Sequence, residues 1–116
     1  MSLASLPPLL RDEPAVLQLL GRSSAGLAVP QPARALHIAG PPEGSPRSPN
    51  LVAVPTSGDA ERLARDLTTF LGEDEVDVFP AWETLPFERV SPSVETMGHR
   101  LRGMWRLRHP ERLPRV

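Results

Sequence analysis

The 116-residue chain contains neither cysteine nor lysine, and all 13 of its basic residues are arginines. Without cysteine there is no disulfide, no thiolate metal site and no cysteine nucleophile. Without lysine there is no Schiff-base chemistry and no phosphate-loop lysine to reach the β- and γ-phosphates of a nucleotide. We therefore expect this chain alone not to be an ATPase.

Long apolar runs are also missing, since no stretch approaches the roughly 18–20 apolar residues of a membrane helix. The first residues lack a basic segment, and Pro7 and Pro8 interrupt their apolar part, which argues against a targeting peptide. The net charge of −1 implies no global attraction to nucleic acid or to an anionic membrane. These features predict a soluble, cytoplasmic protein with no membrane partner.

The hydrophobic pattern predicts an α/β fold. An apolar run at 51–54 precedes an amphipathic helix over 60–71, and a second short apolar run follows at 76–79. Thr56 and Asp59 have the spacing of a helix N-terminal cap, and Gly72 ends the helix. Strand, helix and strand with short loops form a βαβ unit, typical of a parallel sheet. We predict a partial RecA-like, P-loop-NTPase-like three-layer fold that is a fragment of a larger domain.

The remaining segments divide the chain into four predicted regions. A short helix at 12–20, a possible strand at 27–29 and a possible helix ending at Gly40 are expected first. A last helix is expected to be capped by Ser91, with one stripe formed by Val94, Met97, Leu101, Met104, Trp105 and Arg108. The predicted regions are an N-terminal part (1–39), a flexible Pro/Gly/Ser linker (40–50), a βαβ-type core (51–108) and a tail that looks truncated (109–116).

Charge is unevenly distributed along the sequence. Residues 59–88 contain nine acidic residues and two arginines, whereas residues 98–116 contain six arginines and one glutamate. Solvated helix faces are the more economical explanation of the basic segment, with a nucleic-acid patch as the alternative.

The place where a nucleotide-binding domain would carry its phosphate loop is degenerate. Counting from Gly26, Gln31 and Pro32 stand where the pattern G-x-x-x-x-G-K-[ST] needs its second glycine and its lysine. Proline has no amide hydrogen and a fixed φ, so it cannot line an anion-binding nest. No nucleotide-binding residue is therefore predicted, and no cofactor is expected in this chain.

Other candidate chemistry is weak. Glu95 and His99 are four residues apart and His37 and His109 lie elsewhere, whereas a zinc site needs three or four ligands. Ser91 and Ser93 lack a nucleophile-elbow motif and are better explained as helix caps. We predict neither a catalytic residue nor a metal site.

The loop at 82–89, here called the docking loop, is the unusual feature. It combines aromatic, acidic and arginine side chains where simple loops carry small polar residues. One interpretation is anchoring of the loop on its own core; the other is a contact surface for another domain or protein. The candidate contact residues are Trp82, Glu83, Leu85, Phe87, Glu88 and Arg89.

Residues 79–89 (FPAWETLPFER), followed by Ser91 and Pro92, resemble the WETLP block of transcription-repair coupling factors. Residues 54–67 and the pair Arg100–Leu101 are similar to the family's pattern as well. The resemblance is good over 51–107 and loose over 12–40. It suggests the N-terminal, UvrB-like module of such a factor, whose phosphate loop is degenerate.

The resemblance implies a non-catalytic part of a DNA translocase that releases stalled RNA polymerase and recruits nucleotide excision repair through UvrA. ATP and magnesium, together with contacts to RNA polymerase and double-stranded DNA, are then expected in other domains of the long protein. Two alternatives remain open at this point: a helicase fragment whose nucleotide site is misread, and a free-standing adaptor for protein interactions.

Overall fold

The computed structural model describes residues 2–42, 49–85 and 87–116, and this part of the chain is helical. Its α-helices are α1 (Pro14–Leu20), α2 (Arg34–Ala39), α3 (Ser57–Leu71) and α4 (Val94–Leu107). Short 3-10 turns occur at Leu3–Ser5, Pro7–Leu10, Gln31–Ala33, Glu73–Glu75 and Pro110–Arg112. The predicted helices at 12–20, before Gly40 and at 60–71 are confirmed, with small shifts in their bounds.

The core lies where α2 packs against α3. Its buried side chains are Ala35, Ala39, Leu67 and Val76, and the partly buried side chains around them are Ile38, Leu63, Ala64, Phe70, Leu71 and Val116. Two alanines on α2 allow the helices to approach closely, because only a methyl group separates the backbones at those positions. The large side chains of α3 then fill the contact, as its hydrophobic periodicity predicted.

Helix α3 begins and ends at the residues that the sequence indicated. Thr56 Oγ1 accepts a hydrogen bond from Asp59 N at 3.1 Å and donates one to Asp59 Oδ2 at 2.7 Å. At the other end, Gly72 has φ 96°, a conformation open to glycine but strained for other residues. Its amide donates to Thr68 O at 2.9 Å, so the last turn is closed before the chain leaves the helix.

The predicted α/β fold with a parallel sheet is wrong: no strand or sheet occurs in the described ranges. The apolar runs at 27–29, 51–54 and 76–79 form neither helix nor strand. Within 76–79, Val76 has extended backbone angles, φ −123° and ψ 137°. An apolar run becomes a strand only when a neighbouring backbone follows it for several residues, and the short backbone contacts with the C-terminus do not provide this.

Those contacts involve the last two residues of the sequence given. Arg115 N and Val116 N donate to Glu75 O at 2.9 and 3.1 Å, and Asp77 N donates to Val116 O at 2.9 Å. On the other side, Asn50 N donates to Arg115 O at 2.8 Å. Residues 115 and 116 therefore lie between Asn50 and residues 75–77, at the start of each apolar run. These few backbone hydrogen bonds are too few to form the ladder of a sheet.

The C-terminal segment is also tied to the end of α2. Arg115 Nη2 donates to Pro41 O at 2.7 Å and to Ala39 O at 3.3 Å, and Pro114 is buried. Of the predicted linker at 40–50, residues 43–48 lie outside the described residues, and the four proposed regions stay a prediction. No helix in the described ranges is long and apolar enough to cross a bilayer.

Candidate docking surface

Helix α4 contacts the rest of the chain through its polar side. Thr96, Gly103 and Arg106 are buried, and Arg100 is half buried between them. Positions 96, 100, 103 and 106 share one side of a helix, because residues three and four apart are neighbours on its surface. This inner face of α4, defined by those four residues, covers the extended segment that follows α3.

Arg100 is held between two aromatic rings. Its Cζ lies 4.1 Å from the centroid of the Phe79 ring and 4.3 Å from that of Trp82, both within cation–π range. Its Nη1 donates to Pro80 O at 2.5 Å, while the buried Nε has no hydrogen-bond partner in the described part of the chain. The Phe79 ring can lie this close to the backbone of α4 because residue 103 is a glycine. A Cβ at that position would lie only 3.1 Å from Phe79 Cδ2.

Arg106 forms the second anchor of the inner face. Its Nη1 lies 3.1 Å from Asp77 Oδ2, and both side chains are nearly nine-tenths buried. The guanidinium also donates from Nε to Arg112 O at 2.9 Å and from Nη2 to Asp74 O. A buried charge is costly unless it is paired and hydrogen-bonded, and Arg106 has both. Arg102 is a weaker partner, 3.9 Å from the same carboxylate oxygen and largely exposed.

Glu83 fastens the docking loop to the start of α4. Its carboxylate accepts hydrogen bonds from Thr96 Oγ1 at 2.7 Å, Ser93 N at 3.0 Å and Ser93 Oγ at 3.1 Å. The Thr96 hydroxyl, followed by the Ser93 amide and hydroxyl, holds the pKa of Glu83 below its ordinary value of 4.5. The negative charge also suits the N-terminal end of a helix dipole.

The same geometry corrects the predicted helix start. The cap is Ser93 and not Ser91, because Ser93 Oγ accepts from Thr96 N at 3.1 Å. The sequence offered two serines, and the one that caps the helix, Ser93, also donates its backbone amide and its hydroxyl to Glu83. A carboxylate ten residues upstream is not visible in the local capping pattern.

The docking-loop residues divide into two groups. Trp82 and Glu83 are attached to α4, although the Trp82 side chain remains 51 % exposed. In contrast, Leu85 and Arg89 are exposed and Phe87 is 98 % exposed. Within this second group, Glu88 Oε2 accepts a hydrogen bond from Leu85 N at 3.1 Å. One part of the loop is thus an anchor, and the other presents two large apolar side chains to solvent.

The opposite side of α4 is apolar and open to solvent. We call Met97, Leu101, Met104 and Trp105 the outer stripe; all four are exposed, Leu101 by 63 % and Trp105 by 50 %. His109 stacks on Trp105 with the ring centroids 4.2 Å apart. The sequence identified the stripe but not its direction, and it did not identify the anchors Arg100 and Arg106. The signal was present as polar residues recurring at helical spacing on the other side.

The residues of the predicted degenerate phosphate loop lie at the surface. Gly26, Gln31 and Pro32 are exposed, and the last two lie in a 3-10 turn. Gln31 and Pro32 border a largely apolar cleft of about 1260 Å³, whose wall is formed by residues 27–34 and 50–55 on one side and by α3 on the other. The charged side chains on its wall are Arg34, Arg62, Asp59 and Asp66. The residues that line this cleft are distinct from those of the docking loop and of α4.

The histidines are engaged in local contacts or exposed. His37 Nδ1 lies 2.8 Å from Ala33 O, and His109 Nδ1 lies 2.7 Å from Trp105 O, each one helical turn back. His99 and Glu95 are exposed on α4. In the part of the chain that the structure describes, no three His, Asp or Glu residues cluster as a metal site would require.

Comparison with known proteins gives one consistent result. Over 65 residues, 56 % of this chain, it is 46 % identical to the transcription-repair-coupling factors of Mycobacterium bovis and Mycobacterium tuberculosis. Over 62 residues it is 36 % identical to that of Haemophilus influenzae. The matched segment spans 5 % of the length of each of these relatives. No family model matches, and no solved structure matches significantly.

These identities concern a short segment of much longer relatives. The predicted resemblance is therefore confirmed: over more than half of its length this chain is similar to a segment of the transcription-repair coupling factors.

Proposed function

We propose that this chain acts as a non-catalytic segment of a transcription-repair coupling factor, serving as a packing and contact module. The observation that carries the proposal is the 46 % identity to two such factors over 65 residues. The absence of lysine and the exposed, proline-containing turn at Gln31–Ala33 support a module without nucleotide hydrolysis.

We further propose that the chemistry attributed to the family resides in other parts of the long protein. These parts would bind ATP and magnesium, translocate on double-stranded DNA, displace stalled RNA polymerase and recruit UvrA. A protein of this kind would work in the cytoplasm, where transcription and repair of bacterial DNA take place. The chain described here would contribute a surface and not a motor.

The docking loop is the part of the module that we assign to contact. Leu85, Phe87 and Arg89 extend from a turn whose base is fixed by Trp82 and Glu83. Aromatic and arginine side chains are enriched at protein interfaces, and a fixed base lowers the entropy lost when a loop binds. The role of the anchors is then to present the exposed side chains in one orientation.

Isothermal titration of the chain with ATP and magnesium tests the non-catalytic part of the proposal. We expect no saturable heat at millimolar nucleotide, because neither lysine nor an amide nest is available for the phosphates. A lysine-containing phosphate-loop ATPase titrated in parallel is the positive control. Saturable binding in the micromolar range would overturn the proposal.

Replacement of the homologous segment tests the family role. A chimera of the Mycobacterium tuberculosis factor carrying the matched segment of this chain is expected to retain release of stalled RNA polymerase in vitro. The matched control carries Phe87→Ser and Leu85→Ser in the same chimera. If the chimera is folded but inactive, the proposed role in transcription-repair coupling is wrong.

A further inference from the structure

Helix α4 buries its polar side and exposes its apolar side. Arg100, Gly103 and Arg106 contact the protein, whereas the outer stripe of Met97, Leu101, Met104 and Trp105 faces solvent. Contiguous exposed apolar patches on a soluble protein mark sites of interaction. Because the inner anchors are buried, α4 cannot rotate the stripe inward without breaking the Arg106–Asp77 pair.

The stripe has the composition of a helix-binding surface. Leu101, Met104 and Trp105 border a shallow apolar groove with Arg102, Arg108 and His109 at its edges. Methionine is unbranched and adapts to different partner side chains, and tryptophan is a frequent source of binding energy at interfaces. His109 stacks on Trp105 and lies within hydrogen-bond distance of its carbonyl oxygen, so the indole is ordered before any partner arrives.

The charges at the edges of the groove select the partner. Arg102 and Arg108 are both exposed, and among the described residues no acidic side chain lines the groove with them. A partner helix with an apolar stripe and acidic flanks would satisfy both features at once, since charge complementarity directs association and orientation. An apolar helix lying in an apolar groove is a common mode of recognition.

Two other occupants fit less well. A second copy would bring its own Arg102 and Arg108 to the shared surface and add to its positive charge, and like charges disfavour such a contact. Single-stranded nucleic acid needs aromatic platforms for successive bases, whereas this stripe is mostly aliphatic and thioether, with Trp105 as its one aromatic residue.

We propose that the outer stripe of α4 binds an amphipathic α-helix with acidic flanks, presented by a second protein. This inference rests on α4 and its edge charges and does not depend on the proposed function.

Designed helical peptides test the proposal. One peptide of about 20 residues, long enough to be helical in water, carries leucines at helical spacing with glutamates on both flanks. The second has the same leucines with lysines in place of the glutamates. Fluorescence anisotropy of the labelled peptides with the complete chain should show binding of the acidic peptide at least about tenfold tighter than the basic one, or about 1.4 kcal/mol.

Variants of the chain assign that binding to the stripe. Leu101→Glu, at a 63 % exposed position, should abolish binding of the acidic peptide. The matched control is Leu9→Glu, which places the same charge on an exposed leucine outside α4 and should bind normally. Arg102→Gln with Arg108→Gln should reduce the preference for the acidic peptide to less than about threefold. A thermal melt of each variant establishes that the fold is retained.

Four results would overturn the proposal. Equal binding of the two peptides would rule out a partner selected by its acidic flanks. Retained binding of the acidic peptide by the Leu101→Glu variant would rule out the outer stripe as its binding site. Displacement of the acidic peptide by a single-stranded oligothymidine, or dimerisation that Leu101→Glu abolishes in sedimentation, would assign the surface to nucleic acid or to a second copy.

Discussion

Helices α3 and α4 are nearly equal in length and both are amphipathic, yet they are oriented in opposite ways. Helix α3 directs Leu63, Leu67 and Leu71 into the contact with α2. Helix α4 exposes its apolar stripe and directs arginines and a glycine toward the protein. The periodicity of the sequence thus defines an apolar face on each helix, whereas the groups that the helix contacts determine which of its faces is buried.

The reason lies in what each helix meets. Helix α3 meets the small apolar side chains of α2, against which leucines pack without loss of hydrogen bonds. Helix α4 meets Asp77, the carbonyl of Asp74 and the ring of Phe79, which arginine side chains satisfy and leucines would not. Polar groups next to the extended segment thus determine the orientation of α4.

Truncation of one leucine on each helix should give the largest difference in unfolding free energy between α3 and α4. Leu67→Ala on α3 removes a fully buried side chain and is expected to lower the free energy of unfolding by about 2–5 kcal/mol. Leu101→Ala on α4, exposed by 63 %, should change it by no more than about 0.5 kcal/mol. Urea unfolding followed by circular dichroism measures both. Equal losses would mean that the outer stripe of α4 is buried.

The arginine anchors give the second test. Arg106→Ala leaves Asp77 buried without its partner and should cost about 2–4 kcal/mol of unfolding free energy, whereas Arg102→Ala should cost less than about 1 kcal/mol. The difference follows from burial, since Arg106 is 11 % exposed and Arg102 58 % exposed. If urea unfolding shows no difference between the two variants, the inner face does not hold α4 in place.

The helix starts provide the smallest effect. Helix α3 is capped by neighbouring residues, but α4 also depends on Glu83, whose pKa is lowered chiefly by the Thr96 hydroxyl. A lowered folded-state pKa adds stability above the unfolded-state value, and this stability is lost as pH falls through the folded-state pKa. The melting temperature of the wild type should therefore fall more steeply below about pH 4.5 than that of Glu83→Gln.

The control for this prediction removes the Thr96 hydroxyl, the principal hydrogen-bond donor to Glu83, and keeps the Glu83 carboxylate. Thr96→Val should raise the pKa of Glu83 toward its ordinary value and flatten the acid limb of the curve in the same direction. Parallel melting curves for wild type and Glu83→Gln would show that the loop is not clasped to α4 in solution.

Several features could be predicted from local sequence because their causes are local. The cap of α3 at Thr56 and its end at Gly72 depend on residues within one helical turn, and both are as expected. The helices before Gly21 and Gly40 follow from the same rules. The resemblance to transcription-repair coupling factors came from residue identities in the docking loop and its surroundings, which do not require the fold to be known.

The parallel sheet failed as a prediction because strand formation depends on distant backbone. The runs at 51–54 and 76–79 have the composition of buried strands. The backbone that lies beside them is that of Arg115 and Val116, and two residues are too few to pair with a strand along its length. The start of α4 failed for a similar reason, since Glu83 selects Ser93 from a position ten residues away.

The amino-acid sequence was enough to predict the helices, the cap of α3, the absence of a lysine-based phosphate site and the family that the chain resembles. Each of these follows from residue type or from contacts within a few residues along the chain. That Arg100 and Arg106 anchor α4, that Phe87 is exposed and that the apolar stripe faces solvent could be seen only in the folded chain. The direction of a face is a property of its neighbours in space, and those neighbours are brought together only by folding.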